Sequence, residues 1–183
     1  MKNNHAVLLI DLQTDFLAPA GRMPISQAQV PAMLDACHRA YEQASARNWP
    51  VVAIGNEFSR WDPLNLARRF ASVNGSKGAQ WDSRAPQGHD VYFAKRFTSA
   101  FSNPDLDRWL QERQIGNLHL AGLQAKACVK ATAKAALRRG YRVWLIEPAI
   151  GDTSDAARSA ALIGLRRLGC EVSPLSKVVP CGV

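Results

Sequence analysis

Apolar residues in this chain fall into short continuous runs separated by segments with helical spacing. Residues 6–10 read AVLLI, the kind of run found in strands covered on both faces. A polar loop follows. Val30, Leu34, Cys37, Tyr41 and Ala44 then keep the spacing of one helix face, with Pro31 tolerated in the first turn. Residues 51–54 and 91–94 predict a second and a third strand. Asn103-Pro104 opens a helix that carries Leu106, Trp109 and Leu110 on one side. Residues 118–123 predict a fourth strand ending in Gly122-Leu123, and from Val129 the pattern is helical as far as Gly140. Residues 142–146 (RVWLI) predict a fifth strand. Asp152, Thr153 and Ser154 offer N-caps for a last helix that buries Ala157, Ala161, Leu165 and Leu168 and closes at Gly169. Residues 170–172 are a candidate for a short final strand.

Strands alternating with helices predict an α/β fold, with a parallel sheet between helical layers. In such sheets the ligand crevice lies beyond the carboxyl ends of the strands, near the switch in strand order. At 183 residues the chain suits one domain with a core on both sheet faces, and it has no internal repeat. Residues 55–90 break the regularity: they lack a clear strand and carry Phe58, Trp61, Phe70 and Trp81. So long an irregular segment is usually functional or at an interface. Its aromatics predict packing against a substrate or a second subunit; short helices, for instance around 64–70, are the plainer reading.

Composition narrows the class. The chain is 47% hydrophobic and 21% charged, ordinary for a soluble globular protein. It has no run of about 18 apolar residues, which argues against a membrane span. The apolar run before Asp11 is too short for the core of a secretory signal, so the expected compartment is the cytoplasm. Cys37, Cys128, Cys170 and Cys181 show no CxxC spacing and no metal-like pairing with the histidines, and free thiols are expected. The net charge of +8 is spread along the chain without a nucleic-acid motif. It concentrates only at Lys126, Lys130, Lys134 and Arg138, successive i, i+4 positions of one helix. That stripe reads as the solvated face of a half-buried helix, with an anion or partner surface as the alternative.

Candidate chemistry sits where the fourth strand meets the next helix. Cys128 lies in that first turn, facing unpaired N–H groups and the positive end of the helix dipole. Both predict a thiol pKa below the free value of about 8.5. A lone cysteine is more often a small buried apolar residue, so its neighbours decide. Asp11 directly follows the first strand and Lys95 the third, and a parallel sheet brings both to the edge where Cys128 stands. Singly they are ordinary, a turn aspartate and a lysine reaching solvent. Together they make a device: a carboxylate to take the thiol proton, an ammonium to keep that carboxylate ionised, and a thiolate to attack carbonyl carbon.

Three stretches carry a family resemblance: DLQTDF at 11–16, FAKRFTSAF at 93–101 and AGLQAKACVKATAKAALRRGYRV at 121–143. In order and spacing they resemble the signatures of the isochorismatase-like cysteine hydrolase superfamily, which includes nicotinamidases and N-carbamoylsarcosine amidohydrolases. The resemblance covers nearly the whole chain. It implies a three-layer α/β/α sandwich with a mainly parallel, Rossmann-like sheet. It also implies that Asp11 is the general base, Lys95 the third triad member and Cys128 the nucleophile. A cis peptide bond is implied at Leu123–Gln124, with the N–H groups of Gln124 and Cys128 as oxyanion hole. Phe16 is implied as a pocket residue by its place in the DF pair; Trp61 is a further substrate-binding candidate, from the irregular segment.

The chain also departs from the family. Nicotinamidases carry a metal-binding Asp-x-His after the second strand, where this chain has Glu57-Phe58-Ser59, with no histidine between His38 and His89. No metal and no cofactor are therefore expected. Gln124-Ala125-Lys126-Ala127 replaces the usual residues before the nucleophile. The resulting expectation is a hydrolase that cleaves a C–N bond of a small amide or ureide through a Cys128 thioester. Two alternatives stay open: vinyl-ether hydrolysis by Asp11 without covalent capture, and a non-catalytic, partner-binding member of the fold. A redox-active thiol is disfavoured by the lack of a resolving cysteine near Cys128 in sequence. The expected partners are a small-molecule substrate and further copies of the chain, as homodimer or homotetramer, with no nucleic acid and no membrane.

Overall fold

A computed structural model describes residues 3–176, so Cys181 lies outside the described residues. Its strands are β1 (Asn4–Ile10), β2 (Val51–Asn56), β3 (Val91–Lys95), β4 (Ile115–Gly122), β5 (Arg142–Ile150) and β6 (Glu171–Val172). They form one sheet in the order β3-β2-β1-β4-β5-β6, with every neighbouring pair parallel. The chain starts in the middle, builds outward to β3, then returns to lay β4 against the other side of β1. The switch in direction falls between β1 and β4, and that is where a doubly wound sheet opens its crevice.

The alternation of side chains along β1 feeds two helical layers. Ala6, Leu8 and Ile10 join one core with Leu106 and Leu110 of α3 (Pro104–Glu112), Ala133 and Ala136 of α4 (Lys130–Arg138), and Leu165 of α5 (Asp155–Arg167). Val7 and Leu9 face the opposite core, with Phe16 and Leu17 of α1 (Thr14–Leu17) and Met33, Cys37 and Ala40 of α2 (Val30–Ser45). Each fully buried Leu or Ile stabilises the fold by roughly 1.5–3 kcal/mol, which is why β1 is apolar on both faces. The three-layer α/β/α sandwich with a parallel Rossmann-like sheet is therefore as expected. Among the described residues no helix is long and apolar enough to cross a membrane.

Local chemistry sets the helix boundaries. The Asn103 side chain accepts from the Asp105 N–H at 3.0 Å and starts α3. Of the three candidate caps before α5, Ser154 takes the role, its Oγ accepting from the Ala157 N–H at 3.1 Å. On α4, Lys134 and Arg138 are exposed and Lys130 half-buried, while Thr132, Ala133 and Ala136 are buried, so these basic residues stand on the side of the helix away from the core.

Other boundaries differ from the sequence pattern. β4 begins at Ile115 and β5 runs on to Ile150. The polar loop after β1 contains the short helix α1. β2 extends into residues 55–90 as far as Asn56; beyond it the segment holds only two 3-10 turns, at Pro63–Asn65 and Lys77–Ala79, and isolated bridges join Phe58 to Val73 and Trp81 to Gln13. Buried Asp15 anchors this segment: its carboxylate accepts from the N–H groups of Ser72 at 2.7 Å and Arg22 at 3.2 Å.

Gly122 marks the tightest point of the switch. Its φ is +109°, and a Cβ there would collide with the Ile10 backbone. Gly122→Ala is expected to lower stability by about 2–4 kcal/mol, combining backbone strain with a clash against a central strand. Urea denaturation checks this; a loss below about 1 kcal/mol would mean that β1 and β4 can part without cost.

Candidate active site

Four adjacent strands deliver polar groups to one edge of the sheet. Asp11 follows β1, Asn56 ends β2, Lys95 ends β3, and β4 leads through Leu123 to Cys128. Asp11 has φ +57°, in the left-handed region that aspartate tolerates better than most residues. Its N–H donates to the Ile54 carbonyl and its own carbonyl accepts from the Gln13 N–H, both at 2.7 Å. These bonds fix an abrupt turn directly at the strand end.

Lys95 is the hub. Its ammonium has no solvent exposure and lies 3.1 Å from Asp11 Oδ2 and 3.3 Å from Cys128 Sγ. It also donates to Asn56 Oδ1 at 2.6 Å and to the Phe97 carbonyl at 3.3 Å. Starting on the edge strand, the side chain crosses the end of β2 to meet the carboxylate of β1. Asn56 occupies the gap and brings Nδ2 to 4.0 Å from the sulfur. Gln13 clamps Asn56 in a reciprocal amide pair: its Nε2 donates to the Asn56 carbonyl and its Oε1 accepts from the Asn56 N–H, each at 2.8 Å. Gln13 Nε2 also reaches the Ala79 carbonyl at 2.6 Å, which ties the clamp to the irregular segment.

Cys128 stands in a wide π-type turn, Ala125–Val129, that precedes α4. The Leu123–Gln124 peptide bond is cis. Asp152, fully buried, serves this turn instead of its own helix: its carboxylate accepts from the Lys126 N–H at 2.8 Å, with the Lys126 ammonium 3.3 Å away. Among the described residues the Gln124 N–H has no hydrogen-bond partner in the protein.

Electrostatics overturns one expectation. Burial and the Asp11 charge push the Cys128 thiol up to about 12; Lys95 opposes them without prevailing. The helix-end effect predicted a lowered value, and desolvation outweighs it. Burial also raises Asp11 above the ordinary carboxylate range, against the pull of Lys95, Cys128 and Asn56. Neither Asp11 oxygen accepts a well-aligned hydrogen bond, which leaves its lone pairs free for a proton from the thiol. The Cys128 sulfur therefore rests as the thiol.

Cys128 opens into a cavity of about 170 Å³ lined by Asp11, Phe16, Asn56, Phe58, Arg68 and Gln124, among others. Of the residues singled out in the sequence, Phe16 and Gln124 line this cavity with Cys128, and Trp61 does not. That side chain is 88% exposed and lines a separate outer cavity of about 900 Å³ with Arg22 and Arg69. From the same irregular segment, Phe58 and Arg68 line the Cys128 cavity. Asn56, Gln13 and Asp152 were also missed. Asn56 had a usable signal, since it is the polar residue at the end of β2, as Asp11 and Lys95 are at the ends of theirs.

The Glu57 position does not suit a divalent metal. Its carboxylate accepts from the Tyr92 hydroxyl at 3.1 Å, the neighbouring Ser59 is a weak ligand, and no three His, Cys, Asp or Glu side chains converge among the described residues.

A thiol, a carboxylate and a buried ammonium thus converge at the switch point of a doubly wound parallel α/β sheet. Residues 5–176 match the isochorismatase domain, and the chain belongs to the isochorismatase family. It is 27% identical over 178 residues to the nicotinamidase of Escherichia coli K12, covering 77% of this chain and 80% of that one. It is also 27% identical over 161 residues to an N-carbamoylsarcosine amidase of Arthrobacter, covering 82% and 60% of the two chains. A crystal structure of nicotinamidase from Bacillus subtilis superposes with a TM-score of 0.84 at 25% identity, over 93% of this chain and all of that one.

The buried ion pair yields a stability prediction. Lys95→Met strands the Asp11 carboxylate and is expected to cost about 3–5 kcal/mol at pH 7. Without the lysine, the folded-state pKa of Asp11 lies still further above its unfolded value. Folding then takes up a proton, so the loss shrinks as pH falls toward the unfolded value near 4. Urea unfolding at pH 7 and pH 4.5 checks the sign; a loss that grows at low pH would contradict it.

Proposed function

We propose that this protein hydrolyses a C–N bond of a small amide or ureide through a thioester on Cys128. The contact of Lys95 with both the Asp11 carboxylate and the Cys128 sulfur, inside one small pocket, carries this reading. The relatives named as amidases support it. Vinyl-ether hydrolysis by Asp11 alone would leave a thiol in contact with Lys95 without a task.

Asp11 takes the proton from Cys128 as Sγ attacks the carbonyl carbon. The C–S bond forms and the carbonyl electron pair moves to oxygen, which rests against the N–H groups of Gln124 and Cys128 as oxyanion hole. Collapse of the tetrahedral intermediate breaks the C–N bond, and Asp11 returns its proton to the departing nitrogen, which leaves as ammonia or an amine. A water then gives its proton to Asp11 and attacks the thioester. The acid product is released, and the proton held on Asp11 goes back to sulfur. Lys95 stabilises the charged carboxylate and, during attack, the negative sulfur. Asn56, held by Gln13, keeps Lys95 aimed at both, and Phe16 and Phe58 exclude bulk water from the reacting atoms.

Cys128→Ala and Asp11→Asn are each expected to lower ammonia release from amide or ureide substrates by about 10³-fold or more, with circular dichroism unchanged. Acid-quenched protein should carry an acyl adduct on Cys128 by mass spectrometry. An active Cys128→Ala variant beside an inactive Asp11→Asn variant would replace covalent capture with Asp11-only chemistry.

Activity should also fall at low pH, because the base must be ionised. Since burial raises Asp11, the acid limb of kcat/KM is expected above the ordinary carboxylate value of 3.8, with an apparent pKa that belongs to the Asp11–Cys128 pair. A profile flat down to pH 4 would remove Asp11 as the base.

A further inference from the structure

Asp11 and Arg68 are the charged residues lining the Cys128 cavity, and the hydrolytic mechanism employs only the first. Arg68 comes from the irregular segment, just before a stretch in which Arg69, Phe70 and Ser72 all take positive φ. Its guanidinium lies over the Phe58 ring at 4.0 Å from the centroid, and its Nη1 donates to Asp62 Oδ2 at 2.7 Å. Asp62 is fixed in turn, since its Oδ1 accepts from the Leu64 N–H at 2.9 Å. The side chain is only 21% exposed. Stacking and a charged hydrogen bond therefore hold the arginine plane at the cavity wall before any ligand arrives.

A guanidinium carries five N–H donors. Among the described residues Asp62 is the sole hydrogen-bond acceptor for the Arg68 side chain, so most of its fork stays unpaired beside the cavity. The Asp11 charge is already balanced by Lys95. The remaining lining is apolar, as at Phe16, Met23 and Phe58, or neutral, as at Thr98 and Gln124. Asp62 shares the Arg68 charge as Lys95 shares that of Asp11, but the unused N–H donors of the guanidinium give an anionic group on a bound molecule partners that a cationic group lacks. The cavity is small enough for one molecule to meet Cys128 and Arg68 together.

We propose that Arg68 selects substrates whose scissile amide or ureide carries a carboxylate a few bonds away, gripping that carboxylate through two parallel N–H···O bonds. This assignment rests on the covalent hydrolase reading of Cys128. It makes Arg68 a specificity residue: it holds the far end of the substrate and so sets where the carbonyl lies relative to sulfur.

The test compares succinamate with succinamide, a neutral molecule of nearly the same shape, by ammonia release from wild type, Arg68→Lys and Arg68→Met. Wild type is expected to prefer succinamate by roughly tenfold or more in kcat/KM, with the difference mainly in KM. The ratio should collapse to about one in Arg68→Met and stay intermediate in Arg68→Lys, which keeps the charge but loses the fork. A wild-type ratio of one or below would overturn the proposal. So would an Arg68→Met variant that slows both substrates equally and keeps the ratio, since that is how a mere fastener of the 60s loop behaves. Calorimetric titration of succinamate into the Cys128→Ala protein, with and without Arg68→Met, separates this idea from the chemistry. Binding that Arg68→Met weakens upholds the anion site even if no ammonia is ever released. Binding that Arg68→Met leaves unchanged, or no binding in either protein, defeats it.

Discussion

The structure is organised around an ammonium buried without solvent contact. Taking Lys95 and Asp11 out of water costs several kcal/mol per ion, and the attraction between them offsets this only if the other donors and lone pairs are provided for. Asn56 and the Phe97 carbonyl meet that need for the ammonium. Asn56 in turn stays in place because Gln13 grips both polar atoms of its backbone. Gln13 belongs to the turn after β1 and also holds the Ala79 carbonyl. One buried charge thus links three strand ends to the irregular segment that keeps water away from them. The segment without regular structure is as necessary to the site as the sheet.

Magnitudes explain why Cys128 is a thiol at rest. A helix end contributes about 0.3–1 kcal/mol to a nearby charge, which is less than one pKa unit. Full desolvation shifts buried groups by several units, and Asp11 adds a like charge beside the sulfur. Lys95 cannot reverse this, because its charge is shared with Asp11. Within the proposed mechanism, Cys128 therefore acts as a base-activated thiol and not as a preformed thiolate.

Much of this was legible in the sequence. Five apolar runs gave strands, and Val30, Leu34 and Cys37 gave the long helix, because burial on two faces or one stripe leaves a periodic trace. Asp11, Lys95 and Cys128 could be grouped because a parallel sheet sends every strand's carboxyl end to the same edge. Asn56 escaped because Gly55-Asn56 looks like the start of a loop, whereas β2 continues through both residues. Asp152 was read as a cap for the helix after it, but its side chain turns to the neighbouring Lys126 N–H, a direction no periodicity encodes. That Phe58 and Arg68, and not Trp61, line the Cys128 cavity has the same root. In residues 55–90 the inward side is chosen by tertiary hydrogen bonds, such as those from Asp15, and not by a repeat.

The raised pKa of Cys128 also bears on survival in a cell. Peroxides and other electrophiles attack thiolates, and they convert exposed low-pKa cysteines to sulfenic and then irreversible acids. Here the sulfur is a thiol in a narrow cavity. Under the covalent mechanism proposed above, the reactive form would exist only while a bound carbonyl lets Asp11 draw the proton away. Such a site is chemically quiet when empty, its sulfur largely hidden from oxidants.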